Sequence, residues 1–531
     1  MIPAPGAPEA LAFAAAGLTV GALFRQQAAA APDRPAIAQD GVWMSYGELD
    51  ARVNRLAHGL AARGLTRAGV LAIVSENRRE HLEVQLAAAK LGLVVACPNW
   101  RQSVEELRHC LGTSGATLVF ASERFAEKAA QAAGTVPILF GGAYEALLRT
   151  GADSAPPLLA APEDPLLILF TSGTTGFPKG AAISHRAMVA RTWMALLDET
   201  LFPTRTFVCW APLFHMAGAD NALGMLMLGG RVRMMEGFDA EALAEILGQE
   251  EIGLLSLGPG TVEPLIAALR GRPAKVRGVA LVGAMADLVP PASIAEITGR
   301  LGAPFRNTFG STETGPAPAS RGRIPVGVAP ARFSKTQSSF CLLRLVDPDG
   351  VDVPDGAPGE VLVRAPSLFS GYWRLPDQTA EDFRDGWFHM GDVMVRNPDR
   401  TLDFVDRRKY LIKSGGENIY PAEIERLLMA RPEIAEAVVV RQRDTRWGEV
   451  PVAFVVARDS GLTEDGVIAM LRGRIAPFKV PKRIHFLEET DLPRSVTGKV
   501  RRQDLEARLG APRQDPSRDP QIQENTTGRT G

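Results

Sequence analysis

The residues of this 531-residue chain best equipped for chemistry stand together in one run, TSGTTGFPKG at positions 171–180. Gly173, Gly176 and Gly180 permit backbone angles and close approaches that other residues resist, so several N–H groups can turn toward one anion. Thr171, Ser172, Thr174 and Thr175 add hydroxyl donors, and Lys179 adds a positive charge. Such a set suits a polyphosphate. A P-loop has a different grammar, Gly, four residues, then Gly-Lys-Ser/Thr opening a helix. Here Lys179 is followed by Gly180 and an apolar segment of strand length. The competing reading is a flexible surface hairpin.

The elements around this run must position it. An apolar segment at 166–170 leads in and another at 181–184 leads out, so the run reads as a loop between two strands. From 44 to about 302, strand-length apolar segments alternate with helix-length patterns, the habit of layered α/β folds. Strands are expected at 70–74 and 93–97, with amphipathic helices at 46–65, 76–91 and 104–111. Beyond 342, turn signals such as DPDG at 347–350 mark a β-rich subdomain reaching 406. The expected fold class is therefore α/β, with a large multi-layer N-terminal domain over 1–406. A small α+β C-terminal domain follows over 407–511, with a helix opening at Pro421, strands at 437–441 and 450–457, and a helix at 463–475. Residues 512–531 are polar, almost without aliphatics, and read as a disordered tail.

Composition narrows the partners. Lys and Arg number 59 against 60 Asp and Glu, a formal charge of −1, so no basic field draws nucleic acid or anionic lipid. Any phosphate must be gripped locally. Cys97, Cys110, Cys209 and Cys341 are scattered without a CxxC pair, which argues against a zinc site or a disulfide framework and fits a reducing cytoplasm. The apolar stretch 10–24 precedes the first basic residue, Arg25, the reverse of a secretory signal, and reads as a buried helix. No segment reaches the roughly 20 apolar residues of a membrane span.

The string LFTSGTTGFPKG at 169–180 resembles the phosphate-binding signature of the adenylate-forming superfamily, in particular its acyl- and aryl-CoA synthetase branch. Further strings follow in that family's order. NTFGSTETG at 307–315 resembles the second signature, from Asn307 through Phe309, which stands where Tyr is usual, to Gly310, Thr312 and Glu313. The resemblance implies Phe309 against adenine, Thr312 near phosphate, and Glu313 with Thr171 as oxygen ligands of Mg2+. GWFHMGD at 386–392 ends on Asp392, whose two carboxylate oxygens would accept from the ribose hydroxyls. DRRKYLIKSGGENIYP at 406–421 resembles the family's hinge and first C-terminal loop, with Asp406 as hinge and Arg407 toward the ribose. Tyr410 and Lys413 depart from the usual residues there. LPRSVTGKV at 492–500 supplies Lys499, which would bridge the carboxylate and the α-phosphate.

What the resemblance implies is ligation in two steps with ATP, Mg2+ and coenzyme A. A carboxylic acid attacks the α-phosphate to give an acyl adenylate and pyrophosphate, and a thiol then expels AMP. The C-terminal domain is expected to move between the steps, withdrawing Lys499 and presenting Lys413, Gly415, Gly416 and Glu417, with Trp447 of a DTRWGE string either on the coenzyme A side or simply packed. His215, in PLFHMAG, is either a gate between acyl pocket and thiol tunnel or a buried histidine. Gly283, Ala284 and Met285 resemble the strip lining the acyl pocket. Alternatives are delivery to a carrier-protein phosphopantetheine, a luciferase-like oxidation, or a non-catalytic relative.

Overall fold

The computed structural model describes residues 17–171, 178–271, 276–414, 417–458, 461–494 and 500–509. Ser172, Gly173, Thr174, Thr175, Gly176, Gly415, Gly416, Lys499 and the tail at 512–531 lie outside these described residues. The chain divides into two compact units. One comprises Met1–Arg344, Leu362–His389 and Asn397–Asp403, and the other Leu345–Val361, Met390–Arg396 and Phe404–Gly531.

The first unit holds two mostly parallel sheets. The six-stranded sheet runs Ile138–Leu139, Leu118–Ala121, Val70–Val74, Val94–Cys97, Pro165–Thr171 and Lys179–Ser184, and only its last strand is antiparallel. The eight-stranded sheet runs Arg323–Ile324, Phe305–Asn307, Val279–Ala284, Ile252–Ser256, Thr206–Cys209, Arg231–Met234, Pro35–Gln39 and Val42–Ser45. Its six central strands are parallel and both edges antiparallel. The expected α/β class is thus the observed one.

Local signals set the helices. Ser45 and Glu48 form a capping box for Tyr46–Ala62, and Ser103 with Glu106 forms another for Val104–Ser114. That second helix and Arg79–Leu91 both end on a glycine in the left-handed region, Gly115 and Gly92. Of the apolar stretch 10–24 expected as a buried helix, 10–16 lie outside the described residues and 20–24 open the helix Val20–Ala30, which has a Thr19 cap and buries Val20 and Phe24.

The helix expected at 76–91 forms as Arg79–Leu91, but its polar face is not open to solvent, because every residue from Glu80 to Leu91 is buried. Its charges are matched inside. Glu83 accepts from Arg52 Nε at 2.7 Å and from the Tyr144 hydroxyl at 2.7 Å, while Arg52 also reaches Glu145 at 2.6 Å. Lys90 donates to Asp50 and Asn54. Buried charges survive only when paired this way, and removing one partner costs about 3 to 5 kcal/mol.

In the second unit, Gly448–Ala457 is the central strand of a five-stranded sheet. It pairs along its length with Ile434–Asp444, and on its other side with Ile412–Ser414 at one end and Ile484–Phe486 at the other. Ile424, Leu428, Val439, Val455 and Leu471 fill the core between this sheet and the helices Pro421–Met429 and Glu464–Leu471.

Candidate functional site

Thr171 and Lys179 are register partners at the open end of an antiparallel hairpin, with Phe170 opposite Gly180. The free edge of Lys179–Ser184 is covered by residues 370–373. Ser370 N donates to Ala182 O at 2.8 Å, Ala182 N to Gly371 O at 3.0 Å, and Trp373 N to Gly180 O at 2.7 Å. A Cβ on Gly180 would stand 2.6 Å from Ile168 Cγ2, so packing within the strand favours glycine there. Lys179 Nζ donates to Gln378 Oε1 at 2.7 Å and lies 5.4 Å from the Tyr372 ring centroid.

The Tyr372 hydroxyl in turn donates to Glu313 Oε1 at 3.3 Å, and the Glu313 carbonyl accepts from Phe369 N at 2.8 Å. Lys179 and Glu313 are therefore joined through one aromatic side chain. Glu313 is half-buried, and among the described residues no cationic side chain lies within ion-pair distance of it. A half-buried carboxylate without an ion-pair partner among the described residues fits a hard cation. Among the described residues no three acidic, His or Cys side chains converge, so phosphate oxygens would supply most of that cation's ligands.

The loop bearing Glu313 is held from below by Arg191, a residue without a signal in the sequence motifs. Arg191 is buried on the helix His185–Leu197 and donates to the Thr312 carbonyl at 2.8 Å, the Ser367 carbonyl at 3.0 Å and Asp220 at 3.0 Å. Gly310 must be glycine, since a Cβ would meet the Gly315 carbonyl oxygen at 2.0 Å. Asn307 uses both ends of its amide on backbone, accepting from Ala286 N at 3.1 Å and donating to Phe333 O at 2.8 Å. Phe309 is buried, with Lys335 Nζ 5.7 Å from its ring centroid. Lys335 itself is fully buried against Asp287.

The remaining acyl-side candidates gather at the carboxyl ends of the parallel strands of the eight-stranded sheet, where open α/β sheets place their ligands. Gly283 and Ala284 close the strand Val279–Ala284 and Met285 follows it. His215 lies beyond Thr206–Cys209, caps the helix Met216–Met227, and is exposed rather than buried. Its Nδ1 accepts from Ala217 N at 3.1 Å, which leaves the proton of a neutral ring on Nε2. The buried histidines are others, His81 and His185, pushed down to about 3 and about 4 by burial. Asn77 was not legible as a site residue. Its amide binds the carbonyls of Cys209, Trp210 and Ala211 and accepts from Leu213 N, fixing the segment that leads to His215. Trp210 also went unmarked; it donates to Ser256 O at 2.6 Å and meets Phe238 edge-on at 5.2 Å.

In the second unit, Asp392 is 1% exposed and forms an ion pair with Arg407 at 2.9 Å. Asp406 accepts from its neighbour Arg407 N at 2.6 Å and from Ala422 N, in the first turn of Pro421–Met429, at 2.8 Å. Burial pushes its carboxyl up to about 6, against the pull of those N–H donors and of Arg502. Arg502 sits 4.8 Å from the Tyr410 ring centroid and binds both oxygens of Glu425, so the unusual Tyr410 has a cationic partner. Ser414 pairs with Glu417 on one side and Gly448 on the other, which brings Lys413, Glu417 and Trp447 to one end of the sheet. Trp447 is 42% exposed at a hairpin tip with Arg446 4.8 Å from its ring centroid, so it is not the packed aromatic of the alternative reading.

A layered α/β unit carrying the Thr171–Lys179 hairpin and the Glu313 loop, and a separate α+β unit, define a class, and comparison with known proteins gives it a family. The pattern of the AMP-binding enzyme family matches residues 24–373, and that of the AMP-binding enzyme C-terminal domain matches residues 423–499. The chain belongs to the AMP-binding enzyme family. More particularly, it is 37% identical over 481 residues to an indoleacetate–CoA ligase of Aromatoleum aromaticum, covering 87% of this chain and 92% of that protein. It is 35% identical over 493 residues to a feruloyl-CoA synthase of an Amycolatopsis species, covering 91% and 98%. Among solved structures, ATP-bound MatB from Rhodopseudomonas palustris superposes with a TM-score of 0.78 at 27% identity, covering 92% of this chain and 99% of that one.

Proposed function

We propose that this chain is an ATP-dependent carboxylic acid:CoA ligase, forming an acyl adenylate with release of pyrophosphate and then an acyl-CoA with release of AMP. The observation that carries the reading is the linkage of Lys179 and Glu313 through Tyr372 at the open end of the Thr171 hairpin, in a member of the AMP-binding family. Negative charge crowds together as the carboxylate oxygen attacks the α-phosphate. Preorganised positive potential is the physical need, and the hairpin N–H groups, Lys179 and Lys499 would meet it. Mg2+, held by Glu313 and Thr171, would neutralise phosphate charge.

In this reading Ser172, Gly173, Thr174, Thr175 and Gly176 hold the departing pyrophosphate. Asn307 and Gly310 shape the adenine side, Phe309 meets the base, and Thr312 faces phosphate. Asp392 receives the ribose diol, and Arg407, its ion-pair partner, shares that task. Asp406 is the pivot between the half-reactions, with Lys413, Gly415, Gly416, Glu417 and Trp447 serving the coenzyme A side. Exposed His215, beyond the carboxyl end of the strand Thr206–Cys209, supports its place where acid and thiol meet, and Gly283, Ala284 and Met285 line the acid. The names of the two relatives support an aryl acid as substrate, and Trp210 at the carboxyl end of the same strand suits one. Four buried, unbridged cysteines suit a reducing cytoplasm, and no helix among the described residues is long and apolar enough to cross a membrane.

The test is incubation with ATP, Mg2+, coenzyme A and a panel of aryl and short, medium and long aliphatic acids, following AMP, pyrophosphate and thioester. Acid-dependent AMP and thioester are expected, strongest with an aryl acid. Silence across the panel removes the ligase assignment, and acid-dependent pyrophosphate without thioester redirects it to a carrier-protein acceptor.

A further inference from the structure

The segment 369–382 is more than an edge cover. Its backbone is stitched to the phosphate hairpin at Gly180 and Ala182 and to the Glu313 carbonyl, and Tyr372 N is fixed by Thr379 Oγ1 at 2.9 Å. The Tyr372 ring packs edge-on against buried Phe369, 4.9 Å between centroids, which limits where the hydroxyl can point. That hydroxyl is aimed at Glu313 and also faces Asp382, while Lys179 lies toward the ring and is tethered to Gln378 four residues before Asp382. Gln378 closes the circuit by donating to Asp382 Oδ1 at 3.4 Å and Glu381 Oε2 at 3.1 Å. A glutamate has three side-chain torsions, and a carboxylate left to wander would point at a cation only part of the time.

We propose that Tyr372 is a positioning residue that aims the Glu313 carboxylate at the Mg2+ of Mg-ATP, and that the segment 369–382 couples this carboxylate to the Lys179 hairpin. The phenol has one proton. Donated to Glu313 Oε1, it fixes the carboxylate and leaves Oε2 to face the metal, while Asp382 offers the hydroxyl a second acceptor when Glu313 lets go, so the ring keeps its place in both situations. Gln378 does the corresponding work for Lys179, whose charge addresses phosphate whether or not a metal is bound. The proposal rests on the ligase reading and specifies how its cation is received.

The experiment measures the rise in melting temperature of the full chain on adding ATP with Mg2+ and ATP with EDTA, for wild type, Tyr372→Phe and Gln378→Ala. Tyr372→Phe is expected to keep the EDTA increment and lose most of the Mg2+-dependent increment, with about 5- to 10-fold more Mg2+ needed for half-maximal ATP–pyrophosphate exchange, as for loss of one ordinary hydrogen bond. Thioester formation from supplied acyl adenylate should be unchanged. Gln378→Ala is expected to weaken both increments equally. An unchanged Mg2+-dependent increment in Tyr372→Phe, or an equal loss in both arms, overturns the positioning role. If Tyr372→Phe does not fold, an Mg2+-selective loss in Gln378→Ala, or none in either arm, overturns the proposed division of labour. No increment with ATP in the wild type sinks the ligase reading itself.

Discussion

Lys499 and Glu313 are asked to do different jobs, and substitution should separate them. Lys499→Ala should abolish adenylation while sparing thioester formation from supplied acyl adenylate, measured as two half-reactions. Equal loss of both would contradict alternation about Asp406. Glu313→Gln keeps the shape and removes the charge, and should raise the KM for Mg-ATP at least about 10-fold, since a charge-assisted contact is worth about 1.5 to 3 kcal/mol. Asp406 carries a pH signature. Its folded-state value of about 6 lies above that of an unfolded aspartate, so the fold favours the protonated acid. That contribution is full below the unfolded value and is lost as pH rises through about 6. Relative to Asp406→Asn, the wild type should lose about 2 to 3 kcal/mol between pH 4 and pH 7, read from urea midpoints.

At the scale of elements, the loop from Gly310 to Gly315 is built on close backbone approach. Gly310→Ala forces a Cβ into the Gly315 carbonyl, so ATP-dependent stabilisation should vanish while the far-UV spectrum is retained. Wholesale unfolding of that variant would show the loop to be part of the core. Hairpin, strands and the Pro421 helix start were legible because their signals are local. So were the motif residues. Arg191, Asn77 and Tyr372 were not, because the contacts that give them a role are distant in sequence, Ser367 176 residues from Arg191, Leu213 136 from Asn77 and Glu313 59 from Tyr372, and single residues of these types carry no pattern. The helix Arg79–Leu91 misled for a related reason. Its charges mimic a solvent face, and only tertiary partners reveal that they are inside.

At the scale of the whole molecule, two units with separate cores should melt separately. Leu428→Ala in the second core should lower one calorimetric transition by an amount equivalent to about 2 to 5 kcal/mol and leave the other in place. A single shifted transition would show the units to unfold as one. The buried helix Arg79–Leu91 reaches further than stability. Arg52, Glu83, Tyr144 and Glu145 satisfy one another from three helices, and Asp50, Asn54 and Lys90 do the same from two. A crossover that took 79–91 from one relative and 46–62 or 142–149 from another would leave a charge without its counterpart in the interior. In chimaeras these three helices are therefore expected to behave as one heritable block, and productive breakpoints to fall outside residues 46–149.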